Sequence, residues 1–296
     1  MRLLAPGEEA LLESFLAEHS DSTMLLRSNL RSGGLHYGGH TYQAVYAAAV
    51  EGEGEAARVA GVAAHCWNNV LLIQAADSPG LLARAALEAS GRPVAGILGP
   101  WWQVLEARTA LGLSTAPAAS EGRDYLYALD IEKLRVPEKL TQLKYRLPWP
   151  VDLPILTRWR ISYCIETLHV KDTPELRAQC AADVQRFQEE GTHVLLLDGE
   201  RHAAYSTFPA LFQGMCQVGG VYVPKELRGK GYGKCVVAGH LLLAKQTGVH
   251  RAILYTSETN TTAQKAYESL GFEMVGEYCM TLFAEPQMAK AGPPVS

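Results

Sequence analysis

One order of elements occurs twice along this chain. In the first half, apolar positions at Leu11, Leu12, Phe15 and Leu16 predict a helix over 8–19, with a second over 22–31. TYQAVYAAAV, RVAGVAAHCW and VLLIQAAD, separated by EGEGE and by Asn68-Asn69, read as three strands of a meander. Ser78 as cap and Pro79 at the first helical position open a helix to about Ala89. PVAGIL is then a short strand, 101–111 a helix ended by Gly112, and DYLYALDI a closing strand. The second half gives a helix over about 174–190, a hairpin of HVLLLD and HAAYSTF around Gly199-Glu200, and a third strand, MCQVGGVYV. A glycine-rich loop follows, then a helix over 232–247, the strand RAILYT, a helix over 261–270 and a strand around 273–283. The junctions match as well: Ala89-Ser90-Gly91 parallels Gln246-Thr247-Gly248, and Leu111-Gly112-Leu113 parallels Leu270-Gly271-Phe272. Self-similarity at half the chain length points to a duplicated domain.

The 296 residues agree with that reading, since a domain takes ~150 residues. Between the halves, 133–153 carries Pro137, Pro148 and Pro150, with Pro154 just beyond, among basic and apolar residues. So many prolines disfavour a continuous helix or a central strand, and the stretch reads as a linker. The expected division is a first domain at 1–132, the linker at 133–153, a second domain at 154–285 and a flexible tail at 286–296.

Composition narrows the function. A net charge of −4 is no basis for gripping a phosphate backbone, so nucleic acid is not an expected partner. Apolar residues at 48% and charged ones at 20% fit packed cores rather than disorder. No apolar run approaches the ~20 residues of a membrane helix, and MRLLAPGEEALLESF lacks a secretory pattern. Six cysteines with no C-x-x-C read as reduced thiols of a cytoplasmic protein. His36 and His40 lie four apart in HYGGH, but the two glycines argue against a helix that would align them on a metal. No metal site is expected.

The chemistry concentrates in VGGVYVPKELRGKGYGKCVVAGHLLLAKQTG. A strand ends at Pro224, and Arg228-Gly229-Lys230-Gly231-Tyr232-Gly233-Lys234 leads into an apolar helix. Consecutive amides at a helix N-terminus bind anions, and glycines let the backbone approach closely. Three basic residues and no acid in that run favour an anionic ligand. A Walker A loop is excluded, because three residues rather than four separate Gly229 from Gly233 and Cys235 follows Lys234. A dinucleotide fingerprint also fails, because its third glycine falls one residue early.

Arg228-x-x-Gly231-x-Gly233 resembles the (Gln/Arg)-x-x-Gly-x-(Gly/Ala) pyrophosphate arm of the GNAT superfamily of acyl-CoA N-acyltransferases. Downstream, Asn260, Ala263, Tyr267, Gly271 and Phe272 are similar to its second signature, N-x-x-A-x-x-x-Y-x-x-x-G-F. The clear resemblance covers about 190–283, and the first half resembles a degenerate copy. It implies a mixed α/β (α+β) fold of two GNAT-like domains, each a central, mostly antiparallel sheet flanked by helices. It also implies an acyltransferase, for acyl groups other than aminoacyl groups, that moves acetyl from acetyl-CoA to a primary amine of a small molecule or peptide by direct attack. The alternatives are a non-catalytic acyl-CoA-sensing module, and transfer to a thiol or hydroxyl.

The resemblance implies roles residue by residue. Val221, Tyr222 and Val223 would pair backbone with pantetheine, on a strand splayed from its neighbour. Gly219-Gly220 suit a bulge, and an amide near Val221 would face the thioester oxygen. The amides of Gly229, Lys230, Gly231, Tyr232, Gly233 and Lys234, with Arg228 beside them, would hold the pyrophosphate. Asn260, Ala263 and Tyr267 would complete the cofactor contacts. Tyr267 would also assist the leaving thiolate, by hydrogen-bond donation with late proton transfer, since its ordinary pKa of ~10 exceeds the thiol's ~8.5. The residues name no general base. Cys216 and Gln217 lie on the central strand and neither is a convincing base, with an acyl-carrying Cys216 nucleophile as a weaker alternative, while Glu166, His169, Tyr255 and Glu258 are candidates to face the site. The first half departs from the pattern at Ala75-Ala76-Asp77-Ser78-Pro79-Gly80. Asp77 repels a pyrophosphate, Pro79 removes an amide, Trp101-Trp102 replaces the motif asparagine, and no tyrosine stands opposite Tyr267. That half is expected to bind no cofactor.

Overall fold

The computed structural model describes residues 1–168 and 170–289. The chain forms two compact units, Met1–Leu126 with Gly276–Ser296, and Tyr127–Val275. Both are mixed α/β with mostly antiparallel sheets.

The first unit holds β1 (Arg2–Leu3), α1 (Glu9–Glu18), α2 (Ser20–Gly33), β2 (Ala44–Glu51), β3 (Arg58–Cys66), β4 (Val70–Ala75), α3 (Pro79–Ser90), β5 (Val94–Pro100), α4 (Trp101–Ala110) and β6 (Ala118–Ser120). The alternation in β2 to β4 decides which face each side chain takes. Ala47, Ala63, Leu71 and Ile73 pack under α3 and α4 with Leu82, Leu87 and Val104. Tyr46, Ala48, Val62, Ala64 and Leu72 face α1 and α2 with Leu12, Leu16 and Leu30. Ser78 does precede α3, but it adopts φ 50° and its side chain makes no capping bond.

The chain then continues through β7 (Arg123–Asp130), β8 (Lys144–Arg146), α5 (Leu153–Thr167), α6 (Pro174–Glu190), β9 (His193–Asp198), β10 (Arg201–Phe212), β11 (Met215–Tyr222), α7 (Tyr232–Gln246), β12 (Arg251–Ser257), α8 (Thr261–Leu270) and β13 (Glu273–Gln287). The second unit's sheet runs β7-β12-β11-β10-β9-β8. Its core beneath α5 and α6 contains Leu156, Trp159, Val184, Leu195, Tyr205 and Tyr222.

The structure differs from the sequence expectation in three places. The stretch read as a linker contains β8, which pairs antiparallel with β9 from Lys144↔Leu197 to Arg146↔Leu195. Prolines flank this short edge strand, where a missing N–H disturbs no ladder. Residues 153–167 form a helix whose core face carries Leu156, Trp159 and Tyr163, but Pro154, Ile161 and Ile165 make the opposite face apolar as well, so no polar face sets off a stripe. Finally, β13 beyond Gly276 lies beside β5 in the first unit, from Tyr278↔Pro100 to Gln287↔Val94, and buries Cys279 and Phe283 there. The strand thus runs past 285, and residues 290–296 of the expected tail lie outside the described residues. Sequence pattern identifies a strand but not its partner, so the unit boundaries fall at 126/127 and 275/276 rather than at 132 and 285.

Candidate functional site: a parted strand pair and a glycine loop

β11 and β12 are parallel neighbours that pair only at Met215↔Arg251, Cys216↔Ala252 and Gln217↔Ile253. Both continue, β11 to Tyr222 and β12 to Ser257, without further register partners between them. On its other side β11 remains paired with β10, with irregular register between Thr207↔Gly219 and Tyr205↔Tyr222. The irregularity is the expected bulge: Gly220 takes φ +56°, and Thr207 Oγ1 donates to the Gly219 carbonyl at 3.1 Å. Both glycines are required. A Cβ on Gly219 would lie 2.6 Å from Pro209 Cγ, and one on Gly220 2.7 Å from Thr207 Oγ1. Tyr222 turns its ring into the core against Trp159 at 6.0 Å, so what Val221, Tyr222 and Val223 offer as a set is backbone.

The loop that follows enters α7 through Gly231, whose φ of +79° only glycine adopts readily. No side chain caps the first turn of α7, in contrast with α6, where Thr173 accepts from Leu176 N–H, and α8, where Asn260 accepts from Ala263 N–H at 3.1 Å. The amides of Tyr232, Gly233 and Lys234 therefore start the helix without an intrahelical or side-chain acceptor. Gly229, also at positive φ, faces open space, and a Cβ on Gly231 would meet only Lys234 Cε at 3.5 Å. This cradle, narrow in side chains and rich in amides, fits a pyrophosphate.

The basic residues divide into two groups. Arg228 donates through Nε to the Val223 carbonyl at 3.0 Å and pairs with Glu166 of α5 at 2.6 Å. Lys225 approaches the same carboxylate at 3.6 Å. Arg228, in particular, holds Glu166 below the usual carboxylate range. Arg228 thus braces the loop to α5, and Glu166 is a partner in that brace rather than a free base. On the other side, Lys139 Nζ donates to the Lys230 carbonyl at 2.8 Å and sits 4.0 Å over the ring of buried Tyr232, whose hydroxyl donates to Asp198.

Tyr267 projects from α8, with its ring edge-on to Phe272 at 5.9 Å. It is half-buried, and not part of the closed core that holds Leu270 on the same helix. Desolvation, and then the nearby Tyr163 phenol, push its hydroxyl above the ordinary tyrosine value. It therefore stays protonated and able to donate at neutral pH, while outright proton transfer becomes still less favourable. Asn260 is occupied as the cap of α8, and Ala263 is the residue it caps.

The remaining candidates separate cleanly. Cys216 is fully buried and its thiol is pushed far up by desolvation, which removes it as a nucleophile. Gln217, at the last paired position before the strands part, keeps a buried Oε1 without a hydrogen-bond partner. Glu258 is exposed just before α8, its carbonyl accepting from Gln264 at 3.0 Å, and Tyr255 is half-buried on β12. His169 lies outside the described residues. Sequence reasoning missed Lys139, Thr207 and Asp198 as supports of the site. Lys139 lay within the presumed linker, and polar residues on neighbouring strands carry no spacing signal. Among the described residues, no group of three or more His, Cys, Asp or Glu side chains could hold a metal ion, and no helix is long and apolar enough to cross a membrane.

The family model for the GNAT family of acetyltransferases matches residues 156–272, which run from within α5 through α8 and contain the parted strands, the glycine loop and Tyr267, with Lys139 outside the matched span. The chain therefore carries a domain of the GNAT superfamily, a family that uses acetyl-CoA. Solved structures show the fold over nearly the whole chain. A Drosophila protein is similar at 12% identity and a TM-score of 0.65, over 95% of this chain and 97% of that one. A GCN5-related N-acetyltransferase from Sphaerobacter thermophilus gives 14% identity and 0.58, over 99% and 98%. A tandem GNAT protein from the clavulanic acid biosynthesis pathway gives 14% and 0.52, over 97% and 98%. At such identities the likeness is one of fold. No curated protein matches the sequence.

Proposed function

We propose that the second unit is an acetyltransferase that takes acetyl-CoA and passes the acetyl group directly to a primary amine of a small molecule or peptide. The observation that carries this reading is the parting of β11 from β12 immediately before an uncapped, glycine-lined helix N-terminus. An open strand edge suits the amides of a pantetheine arm, and the loop suits the diphosphate at its end.

Acetyl-CoA brings an activated thioester; everything else is the work of this chain. The amides of 229–234 hold the diphosphate, and β11 from Val221 to Val223 offers backbone to the arm. The bulge at Gly219-Gly220 breaks the regular ladder beside Val221, whose amide would be the donor to the thioester oxygen. The Tyr267 hydroxyl, kept protonated by its surroundings, would donate a hydrogen bond to the sulfur. Asn260 and Ala263 fix the start of α8 and so the placement of Tyr267.

The reading is tested by incubating the full chain with acetyl-CoA and pools of amine metabolites and short peptides. Mass spectrometry should find an acceptor that gains one acetyl group. Calorimetry that detects no CoA binding would remove the assignment, whereas CoA binding without any acetylated product would favour a sensing module.

A further inference from the structure

The segment around Glu138–Gln142 does more than connect. It is a short helical turn anchored by buried Leu140, and it places Lys139 against the glycine loop. Lys139 Nζ donates to the Lys230 carbonyl at 2.8 Å and lies 4.0 Å from the centroid of the Tyr232 ring. It therefore touches the residues on both sides of Gly231. We propose that Lys139 is a positioning residue for anion binding, one that fixes the peptide between Lys230 and Gly231. This inference rests on the reading of the loop as a diphosphate cradle.

The argument begins with the peptide plane. In a trans peptide the C=O and the following N–H point in opposite directions. Holding the Lys230 oxygen toward Lys139 therefore holds the Gly231 N–H away from it. The choice needs holding, because Gly229 and Gly231 both occupy positive φ and glycine backbone populates several wells at little cost. Tyr232 supplies the second anchor. Its ring is buried, its hydroxyl donates to Asp198, and that bond, then Arg201 and last the charge of Lys139, keep the Asp198 carboxylate below the usual range. Electrostatics agrees with geometry. Arg228 and Lys225 are committed to Glu166, so Lys139 restores positive charge beside the loop on its other flank.

The test compares affinities of three probes for the full chain and for Lys139→Met and Lys139→Arg: CoA, dephospho-CoA (diphosphate without the 3′-phosphate) and pantetheine (neither). Lys139→Met is expected to weaken CoA and dephospho-CoA alike, by about tenfold. Pantetheine binding should stay within twofold and the melting temperature should be unchanged. Lys139→Arg, which keeps a charged donor, should recover most of the loss. Equal weakening of all three probes would reduce Lys139 to general scaffolding, and a loss confined to CoA would make it a reader of the 3′-phosphate. Either result, or unchanged CoA binding in Lys139→Met, overturns the proposal. A wild-type chain that binds CoA tightly while the variant does so equally well sinks this inference alone. A wild-type chain that binds none of the probes sinks the functional reading with it.

Discussion

The ends of β4 and β11 show how one arrangement can be closed in one unit and open in the other. Each ends a three-strand antiparallel run and leads into a helix, and each pairs in parallel with the next strand for only three residues, Val70↔Gly96 to Leu72↔Leu98 in one case and Met215↔Arg251 to Gln217↔Ile253 in the other. Beyond that point they differ. The amide of Ala75, the last residue of β4, donates to Gln103 Oε1 at 2.8 Å, and Gln103 is buried. Gly99 leaves so little room that a Cβ would lie 2.6 Å from the Ile73 carbonyl oxygen, and Gly80 brings α3 against Ala110 in the same way. Neither α3 nor α7 has a side-chain cap, but at α3 the Gly80 amide reaches Glu106 Oε1 at 3.4 Å, whereas beyond β11 the loop glycines face open space. A handful of side chains therefore separates a packed seam from a ligand cleft, while the backbone plan is shared.

The largest expected effect marks where the units behave alike. His65 in the first unit and His193 in the second are both buried, and desolvation above all lowers each to about 4. Unfolded, each titrates near 6.5, so between those values the unfolded chain binds more protons and stability rises with pH. Stability is complete above about 6.5 and is lost as pH falls toward about 4, by about 3 kcal/mol for each histidine. Denaturant melts from pH 7.5 to 4.5 should show this loss, and a double His65→Gln, His193→Gln variant should make the profile shallower, with buried His240, itself lowered by desolvation, keeping the remaining slope. An unaltered profile in that variant would contradict the assignment.

The next effect is expected in one unit alone. Gly231→Asp forces a side chain into φ +79° and puts a negative charge in the amide cradle. CoA affinity should fall ~10²-fold, about 2.7 kcal/mol, with the melting curve nearly preserved. Unchanged affinity by calorimetry would close the cleft as a candidate. Tyr267→Phe should leave CoA binding intact and lower kcat by ~10²-fold at unchanged KM for acetyl-CoA, because a donor to a developing thiolate acts in the transition state. A kcat within threefold of wild type would return Tyr267 to a packing role.

Gln103→Leu gives the smallest effect and the sharpest comparison. The Ala75 amide loses its acceptor, which costs about 1–3 kcal/mol of stability. The titration should still end at one CoA per chain, because Asp77 and Pro79 remain at the start of α3. A second binding event would mean that Gln103 alone keeps the first unit shut.

Much of this is legible in the amino-acid sequence. Periodicity and turn residues place most helices and strands, because each half-buried element advertises one face. The glycine loop, the bulge and the asparagine that opens α8 were legible too, since each depends on a residue type with a local conformational reason. Gln103 and Lys139 were not. Their importance comes from which backbone atom they meet in space, 28 and 91 residues away in sequence, and no spacing rule encodes such a meeting. α5 escaped for a different reason: Pro154, Ile161 and Ile165 oppose its core face of Leu156, Trp159 and Tyr163, and leave no polar side for contrast.

The place of β13 has a consequence for synthesis. The edge of β5 that β13 covers is made when the ribosome has passed residue 100, yet its partner begins roughly 175 residues later. At ~5–20 residues per second the nascent chain carries that uncovered edge for about 10–35 s. An open strand edge in a growing polypeptide recruits other strands, so the yield of folded protein should depend on translation speed and on holdase chaperones. A chain truncated just before Gly276 never leaves that stage. It keeps the whole glycine loop and Tyr267, and should still be lost to aggregates.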